Sequence, residues 1–296
     1  MKQIIKFRSV WFIIILLVIS CEYGICQTII ARKDISLPAN KKNVIEAEKR
    51  TLLIALTGNE DMDQNLKDLV EKCWKFNTVF HFVNSDDLKS MVSNESSKYT
   101  ILSLNMVEAP ATNNKFYRFS VFLSEKYIKR KSLFYTDVLG FYKGNEFIVK
   151  RKDILFAFKH IQNHFTARKA GIFRMGYSEV RKYRGVLSKK ILLLDSTLFA
   201  KKLDFIQISQ NYSLPFKVTG EKEIEEALMN NDGKYACVQI VPIAEAYDVR
   251  LHYVIDCENC NIISYGDTFN GFGDFAFNNL INKKHLRLYQ SHAEIE

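Results

Sequence analysis

The sequence predicts an α/β (α+β) fold of two tandem mixed-sheet domains that arose by internal duplication, and two observations lead to this prediction. First, SKYTILSLNM at residues 97–106 is matched by GKYACVQIVP at 233–242, because each has Lys-Tyr before an alternating apolar run. Second, the predicted elements around both stretches follow the order β-α-β-α-β-β-β-α. Eight elements in the same order indicate two copies of one unit.

The first half of each copy alternates between strand and helix. The opening strands follow a basic pair, in Lys49–Ile54 and Lys189–Leu194. Each is followed by a helical stretch, a short second strand and a second helix, and then by the matched stretch. Strands that alternate with helices pair in parallel, so the first three strands of each copy are predicted to be parallel.

The last three strands of each copy are joined by short turns. Tyr117–Leu123 aligns with Val249–Ile255 as a period-two strand, and a fifth strand and a closing helix near Asp153 or Asp274 follow. Short turns connect antiparallel neighbours, so each copy is predicted to form a mixed sheet with helices packed on it.

Length and composition agree with two domains. A chain of 296 residues with 47% apolar residues can bury one core or two. The predicted organisation is an export signal at 1–27, an extended arm at 28–48, a first repeat at 49–167, a linker at 168–188 and a second repeat at 189–296.

The N-terminus has the features of an export signal. Lys2, Lys6 and Arg8 precede the uncharged run Val10–Ser20, and small residues follow it. Eleven residues are too few for a helix that spans a bilayer, which needs about 20. The sequence therefore predicts that the protein leaves the cytoplasm.

Three processing routes stay open at this signal. Val18-Ile19-Ser20-Cys21 resembles the lipobox of bacterial lipoproteins, which predicts lipidation of Cys21. The small-residue rule for ordinary cleavage is also satisfied, at Val18-x-Ser20 and at Gly24-x-Cys26. An uncleaved signal anchor is the third alternative.

The element order and the hairpin of residues 250–267 resemble the α/β domain shared by the TolB amino-terminal domain and the CsgG and LpoB lipoproteins. In that family an Asp is followed by Thr-Gly and two apolar residues; Asp256, Ile262 and Ile263 fit, whereas Asn259-Cys260 replaces Thr-Gly. In the first copy Ser124 replaces the Asp. The resemblance implies an envelope protein that binds other proteins or assembles complexes and is not an enzyme.

Cys257-Glu258-Asn259-Cys260 is predicted to be a turn closed by a structural disulfide between Cys257 and Cys260, with two inert thiols as the alternative. A strand and not a helix follows this motif, so no helix N-terminus is expected to activate a thiolate. A zinc site is not predicted, because no second Cys-x-x-Cys exists.

An alternative site lies after the first strand, where open α/β sheets bind ligands. Glu60, Asp61 and Asp63 offer carboxylates to a hard cation there, or they complement the dipole of the helix that follows. His160 and His164 are predicted to be a surface pair, since Ile161 stands where a zinc peptidase has Glu. No cofactor is predicted, because the chain has no phosphate loop, nucleophile elbow or dinucleotide fingerprint.

The charge of the chain is uneven. Residues 126–190 carry 17 Lys and Arg against four Asp and Glu, a net +13, whereas the whole chain carries +9 and the rest therefore −4. Such asymmetry indicates an anionic partner. The predicted contact residues lie in two clusters, expected at one edge of the first sheet: Lys126, Lys129, Arg130, Lys131, Lys150, Arg151 and Lys152.

The sequence therefore predicts an exported, envelope-associated binding or scaffold protein without a catalytic site. Its expected partners are envelope proteins or an anionic membrane or cell-wall surface, and nucleic acid is not expected outside the cytoplasm. The alternative is an envelope enzyme or metal-binding protein that uses Glu60, Asp61 and Asp63.

Overall fold

Strands and helices alternate along both halves of the chain and build two mixed β-sheets. The computed structural model describes residues 40–95, 97–108, 115–172, 183, 185–200, 203–243, 249–267 and 280–294, all within one compact unit, Ser36–Glu296. The elements of the first half are α1 (Lys41–Lys49), β1 (Thr51–Ala55), α2 (Glu60–Cys73), β2 (Phe80–Val83), α3 (Ser85–Asn94), β3 (Tyr99–Glu108), β4 (Lys115–Leu123), α4 (Ser124–Tyr127), β5 (Phe134–Lys143), β6 (Glu146–Val149) and α5 (Arg151–Lys169). Those of the second half are β7 (Ile191–Asp195), α6 (Phe205–Asn211), β8 (Phe216–Thr219), α7 (Glu221–Met229), β9 (Tyr235–Ile243), β10 (Val249–Asp256), β11 (Ile262–Asp267) and α8 (Lys283–Ala293).

The two sheets have the same strand order. The first is β2-β1-β3-β4-β5-β6 and the second is β8-β7-β9-β10-β11. In each sheet the first three strands in sequence pair in parallel and the later ones antiparallel, as crossover helices and short turns require. The predicted fold class, two mixed α/β sheets in tandem halves, is confirmed, and β6 is a strand that the sequence did not predict.

The matched stretches occupy equivalent places in the two sheets. Tyr99, at the start of β3, pairs with Thr51 on β1, and Tyr235, at the start of β9, pairs with Ile191 on β7. This register is the one that the alignment of the two halves requires.

The fourth strands are offset by one residue from the alignment made on sequence alone. Leu123 on β4 pairs with Thr100, and Asp256 on β10 pairs with the equivalent Ala236. Leu123, and not Ser124, therefore takes the place of Asp256 in the first half. A shift of one residue moves every side chain of a strand to the opposite face of the sheet. The sequence pattern did not determine this register, and the pairing of the strands does.

Helix α1 contradicts the extended arm predicted for residues 28–48. Residues 41–48 are helical, and the Asn40 side chain caps this helix by accepting from the Lys42 N–H (3.0 Å). Val44 and Ala47 lie three residues apart and are buried against the first sheet. The sequence analysis places Asn40 in the extended arm, whereas the structure shows it as a helix cap. Residues 28–39 lie outside the described residues.

Helix α5 is buried between the two halves. Its buried apolar residues surround the helix axis instead of following one stripe, which is the pattern of a helix enclosed on all sides. The rings of Trp74 and Phe119 pack on Phe158 from the first half, and His160 faces Tyr253 of the second. One continuous apolar core therefore includes residues from both predicted repeats.

Polar contacts also tie α5 to the second half. The Lys159 ammonium donates to the Leu228 carbonyl and to Asn231 Oδ1 (2.6 Å), at the end of α7. The Asn163 amide donates to the Asn259 carbonyl in the β10–β11 turn. The first residues of the predicted linker, 168–169, belong to α5 itself.

Helix α8 closes the second half but is covered on one side only. Its buried residues, among them Leu286 and Tyr289, pack on the second sheet. Lys283, Lys284 and Arg287 lie on its exposed side. The two closing helices therefore differ, because α5 is enclosed and α8 is amphipathic.

We expect Phe158→Ala to lower the free energy of unfolding by about 3–5 kcal/mol, because it leaves a cavity in the shared core. Chemical denaturation followed by Trp74 fluorescence and by circular dichroism measures this change. Both probes should report one transition, since the halves share a core. Phe205→Ala is the matched control, because this ring is 66% exposed and its loss should cost below about 1 kcal/mol. A similar loss in both variants would contradict the central position of α5.

Candidate functional site

Four of the predicted cationic residues lie on the loop between β4 and β5, residues 124–133, which we call the basic loop. Helix α4 begins it and a tight turn follows. In this turn the Arg130 N–H donates to the Tyr127 carbonyl (2.8 Å), and the Lys131 N–H donates to the Lys126 carbonyl (3.1 Å). Arg130 has a φ of 51°, in the left-handed region, which reverses the chain there.

The start of the basic loop is fixed to the sheet. The Tyr127 ring packs edge-on against Phe122 of β4, with centroids 5.3 Å apart. The buried Ser124 hydroxyl accepts from the Tyr99 N–H (3.3 Å) at the start of β3. The loop is therefore a defined projection of the first sheet.

Glu125 is the one acidic residue of the basic loop. Arg50 donates to both of its carboxylate oxygens (2.6 and 3.3 Å) and also to Glu46. Burial acts to raise the pKa of Glu125, but the hydrogen bonds and charge of Arg50 outweigh it and lower that pKa. Glu125 is thus ionised and held by Arg50.

The cations of the basic loop face solvent. Lys129, Arg130 and Lys131 are exposed, and Lys126 is partly buried. None of the four forms an ion pair with another residue of the described ranges. When Arg50, Glu46 and Glu125 are counted with them, five cations face two carboxylates and the region carries a net +3.

The residues of the second predicted cluster, Lys150, Arg151 and Lys152, form ion pairs within the protein. Arg151 donates to Asp68 on α2 and to Glu225 on α7 (2.6 Å), so its guanidinium joins the two halves. The sequence predicts that Arg151 lies beside the basic loop, but the structure pairs it with these two acids instead. Sequence reasoning did not identify the acids because they lie far from Arg151 along the chain.

The two neighbours of Arg151 are also engaged in ion pairs. Lys152 is buried and pairs with Asp153 (2.7 Å). Lys150 lies 3.3 Å from Glu221 and 3.9 Å from Asp195, both in the second half. Among the predicted contact residues, the cations without an ion pair in the described ranges are therefore those of the basic loop.

The positive charge of residues 126–190 is partly neutralised in the folded protein by acids from other parts of the chain. Three further cations of this segment pair with acids outside it: Lys143 with Asp61 (2.6 Å), Lys169 with Glu48 (2.5 Å) and Lys190 with Asp256 (2.8 Å). A net +13 counted along the sequence therefore overstates the charge that an external partner meets.

In the acidic motif after β1, Asp63 stabilises the loop between β1 and α2 by hydrogen bonds. Asp63 accepts from the Thr57 N–H (2.7 Å), the Thr57 hydroxyl (2.8 Å) and the Gly58 N–H (3.0 Å). Glu60 and Asp61 are exposed in the first turn of α2, where acids complement the helix dipole. Within the described ranges no group of three His, Cys, Asp or Glu residues is arranged to hold a metal ion.

The predicted disulfide between Cys257 and Cys260 is not formed. Both residues are buried free thiols, as is Cys237 on β9. Burial raises the pKa of Cys260 to about 12, and a hydrogen bond with Cys257 together with burial raises the pKa of Cys237. Cys237 and Cys260 are therefore protonated, and all three cysteines are core residues.

An aspartate, and not a disulfide, stabilises the β10–β11 turn. The Asp256 carbonyl accepts from the Cys260 N–H (2.7 Å), and the Asp256 carboxylate accepts from the Glu258 N–H (3.0 Å). Lys190 pairs with the same carboxylate inside the protein. Cys260 has a φ of 55°, so the chain reverses at this residue.

The prediction of a surface histidine pair was wrong. His164 is buried and stacks on Phe134 with centroids 3.9 Å apart, and His160 is partly buried between Phe134 and Phe156. Burial lowers the pKa of His160 to about 4 and that of His164 to about 3. The sequence did not reveal that α5 is enclosed on both sides.

Sequence reasoning missed one exposed residue of the basic loop. Ile128 lies between the cations and is 73% exposed. An apolar residue flanked by lysines and arginine in a hairpin loop is a usable signal, but charge alone predicts only the cations of this loop. The predicted lipidation site, Cys21, lies outside the described residues.

In the described part of the chain, no helix has the length and apolar character that crossing a membrane requires. Comparisons with known protein families, with curated proteins and with solved structures returned no match.

We expect the free energy of unfolding to fall as pH decreases from about 6.5 to about 4. Burial lowers the pKa of His160 and of His285 to about 4 and that of His164 to about 3, so these residues take up protons in the unfolded chain before they do so in the folded one. Each contributes up to about 1.4 kcal/mol per pH unit. Urea unfolding at several pH values measures the slope. His164→Leu should flatten it, and substitution of the exposed His81 by Gln should leave it unchanged; equal slopes in all three proteins would refute the explanation.

We also expect Cys237, Cys257 and Cys260 to resist alkylation in the folded protein, because each is buried and the raised pKa values of Cys237 and Cys260 keep them protonated. Peptide mapping after labelling with and without denaturant identifies each residue separately. Labelling of all three only in denaturant is the expected result. A linked peptide that joins Cys257 to Cys260 would restore the disulfide predicted from the sequence.

Proposed function

We propose that this protein is exported, associates with the cell envelope, and acts as a non-catalytic binding or scaffold protein whose basic loop contacts an anionic envelope surface. The chemistry that the loop recognises is a dense array of phosphate or carboxylate groups, as in lipid headgroups or cell-wall polymer. The observation that carries the proposal is the concentration of four cations, none of them in an ion pair within the described ranges, on one fixed loop whose single acid is held by Arg50.

The electrostatic strength of the loop supports this proposal. A basic residue near an anionic membrane adds about 1 kcal/mol of attraction. Four such residues therefore supply on the order of 10²- to 10³-fold in affinity. Because exposed charges are screened within about 8 Å at physiological salt, the contact should weaken as salt rises.

The export signal, the lipobox at Cys21 and the resemblance to envelope lipoproteins support the same proposal. A single acyl chain holds a protein at a membrane only marginally, so a lipidated chain needs a second contact. The basic loop supplies one. The alternative site at Glu60, Asp61 and Asp63 has less support, since Asp63 holds its own loop and Asp61 pairs with Lys143.

The test replaces Lys126, Lys129, Arg130 and Lys131 by Ala together. We expect binding to vesicles that contain anionic phospholipid, and to polyphosphate, to weaken at least 100-fold, because about 1 kcal/mol is lost per cation. Cosedimentation at several salt concentrations measures the affinities. The control replaces four other exposed lysines, Lys41, Lys42, Lys283 and Lys284, and removes the same charge. Equal losses in the two variants, or parent-like binding by the loop variant, would refute the proposal.

A further inference from the structure

We propose that Ile128 inserts into the boundary between headgroups and acyl chains of an anionic bilayer, so that the anionic partner is membrane lipid. The inference rests on the proposed function and names the partner of the same loop. It comes from one contrast: charge explains the four cations, but it does not explain the apolar side chain at their centre.

Ile128 is the most exposed of the large apolar side chains in the described ranges, at 73%. Water contact with so much apolar surface is unfavourable, and transfer to an apolar phase removes it. The described part of the chain covers only a small part of this side chain.

The backbone presents Ile128 in a fixed position. The residue directly follows α4 in a helical conformation, with φ −58° and ψ −36°. Tyr127 before it is packed on Phe122, and the turn at Arg130 after it is closed by a hydrogen bond to the Tyr127 carbonyl. A side chain on such a fixed loop loses little conformational freedom when it inserts.

The cations on both sides of Ile128 indicate which kind of partner this surface binds. Lysine and arginine side chains keep their charge among phosphate groups while their apolar stems extend along an apolar surface. A surface that combines apolar and basic residues is the kind that binds at the interface of anionic membranes. A soluble polyanion satisfies the cations but has no apolar phase for Ile128, so the combination fits a bilayer.

A second pair of exposed apolar residues is not flanked by cations in the sequence, and it provides the control for the experiments on Ile128. Phe205 and Ile206 at the start of α6 are 66% and 67% exposed. Asp204 directly precedes them, and residues 203–216 contain no Lys or Arg. Ile206 therefore matches Ile128 in residue type and exposure but not in surrounding charge.

The first experiment compares Ile128→Ala with Ile206→Ala on anionic vesicles and on polyphosphate. We expect Ile128→Ala to weaken vesicle binding about tenfold through loss of buried apolar area, and to leave polyphosphate binding unchanged. Ile206→Ala should match the parent on both. Both residues are exposed, so the variants should fold, and circular dichroism checks this.

The second experiment locates the side chain in the bilayer. Ile128→Trp is mixed with anionic vesicles whose acyl chains carry bromine, which quenches tryptophan on contact. The parent chain, with Trp11 and Trp74, supplies the background, and Ile206→Trp is the control. We expect a blue shift and quenching for Ile128→Trp alone.

Parent-like vesicle binding by Ile128→Ala, or an unquenched tryptophan at this position, would overturn insertion. An equal loss on vesicles and on polyphosphate would also overturn it, since Ile128 would then act by shaping the loop. These results leave the proposed function standing if the variant without the four cations still loses binding. If that variant binds like the parent, the proposed function itself fails.

Discussion

The enclosure of α5 between two sheets is the constraint on which the rest of the structure depends. A sheet of this kind must cover both faces, and the second sheet uses α5 of the first half for part of that cover. The halves cannot separate without uncovering the side of α5 on which His160 faces Tyr253 of the second half. The two halves are therefore one folding body, and any partner that holds the first half also positions the second.

The same enclosure explains where the positive charge of the sequence goes. Arg151 and Lys159 lie on α5, and their ion pairs and hydrogen bonds attach it to α2 and α7. The count of charges along the sequence suggests that these cations bind an external partner. In the structure they stabilise contacts within the protein. The basic loop is different, because it projects from the end of a hairpin, away from these acidic partners, and its one acid is held by Arg50.

Sequence patterns predicted the features that depend on local order. Alternation of strands with helices predicted the parallel strands, and Lys-Tyr before each apolar run predicted the equivalence of Tyr99 and Tyr235. The ion pair between Arg151 and Asp68 escaped prediction because 83 residues separate its members. The burial of His164 escaped it because a single helix does not reveal what covers its second side. Within the candidate site, charge predicted the loop, whereas the prominence of Ile128 required coordinates.

Helices α5 and α8 differ in what their second side can pack against. Helix α5 buries Phe156 and Ile161 in the core that the halves share, whereas the exposed side of α8 carries Lys283, Lys284 and Arg287. A sheet laid on that side of α8 would have to remove water from three charges and would gain little apolar burial. The outer face of α8 is therefore suited to solvent, which makes the second half an unfavourable platform for further sheet packing.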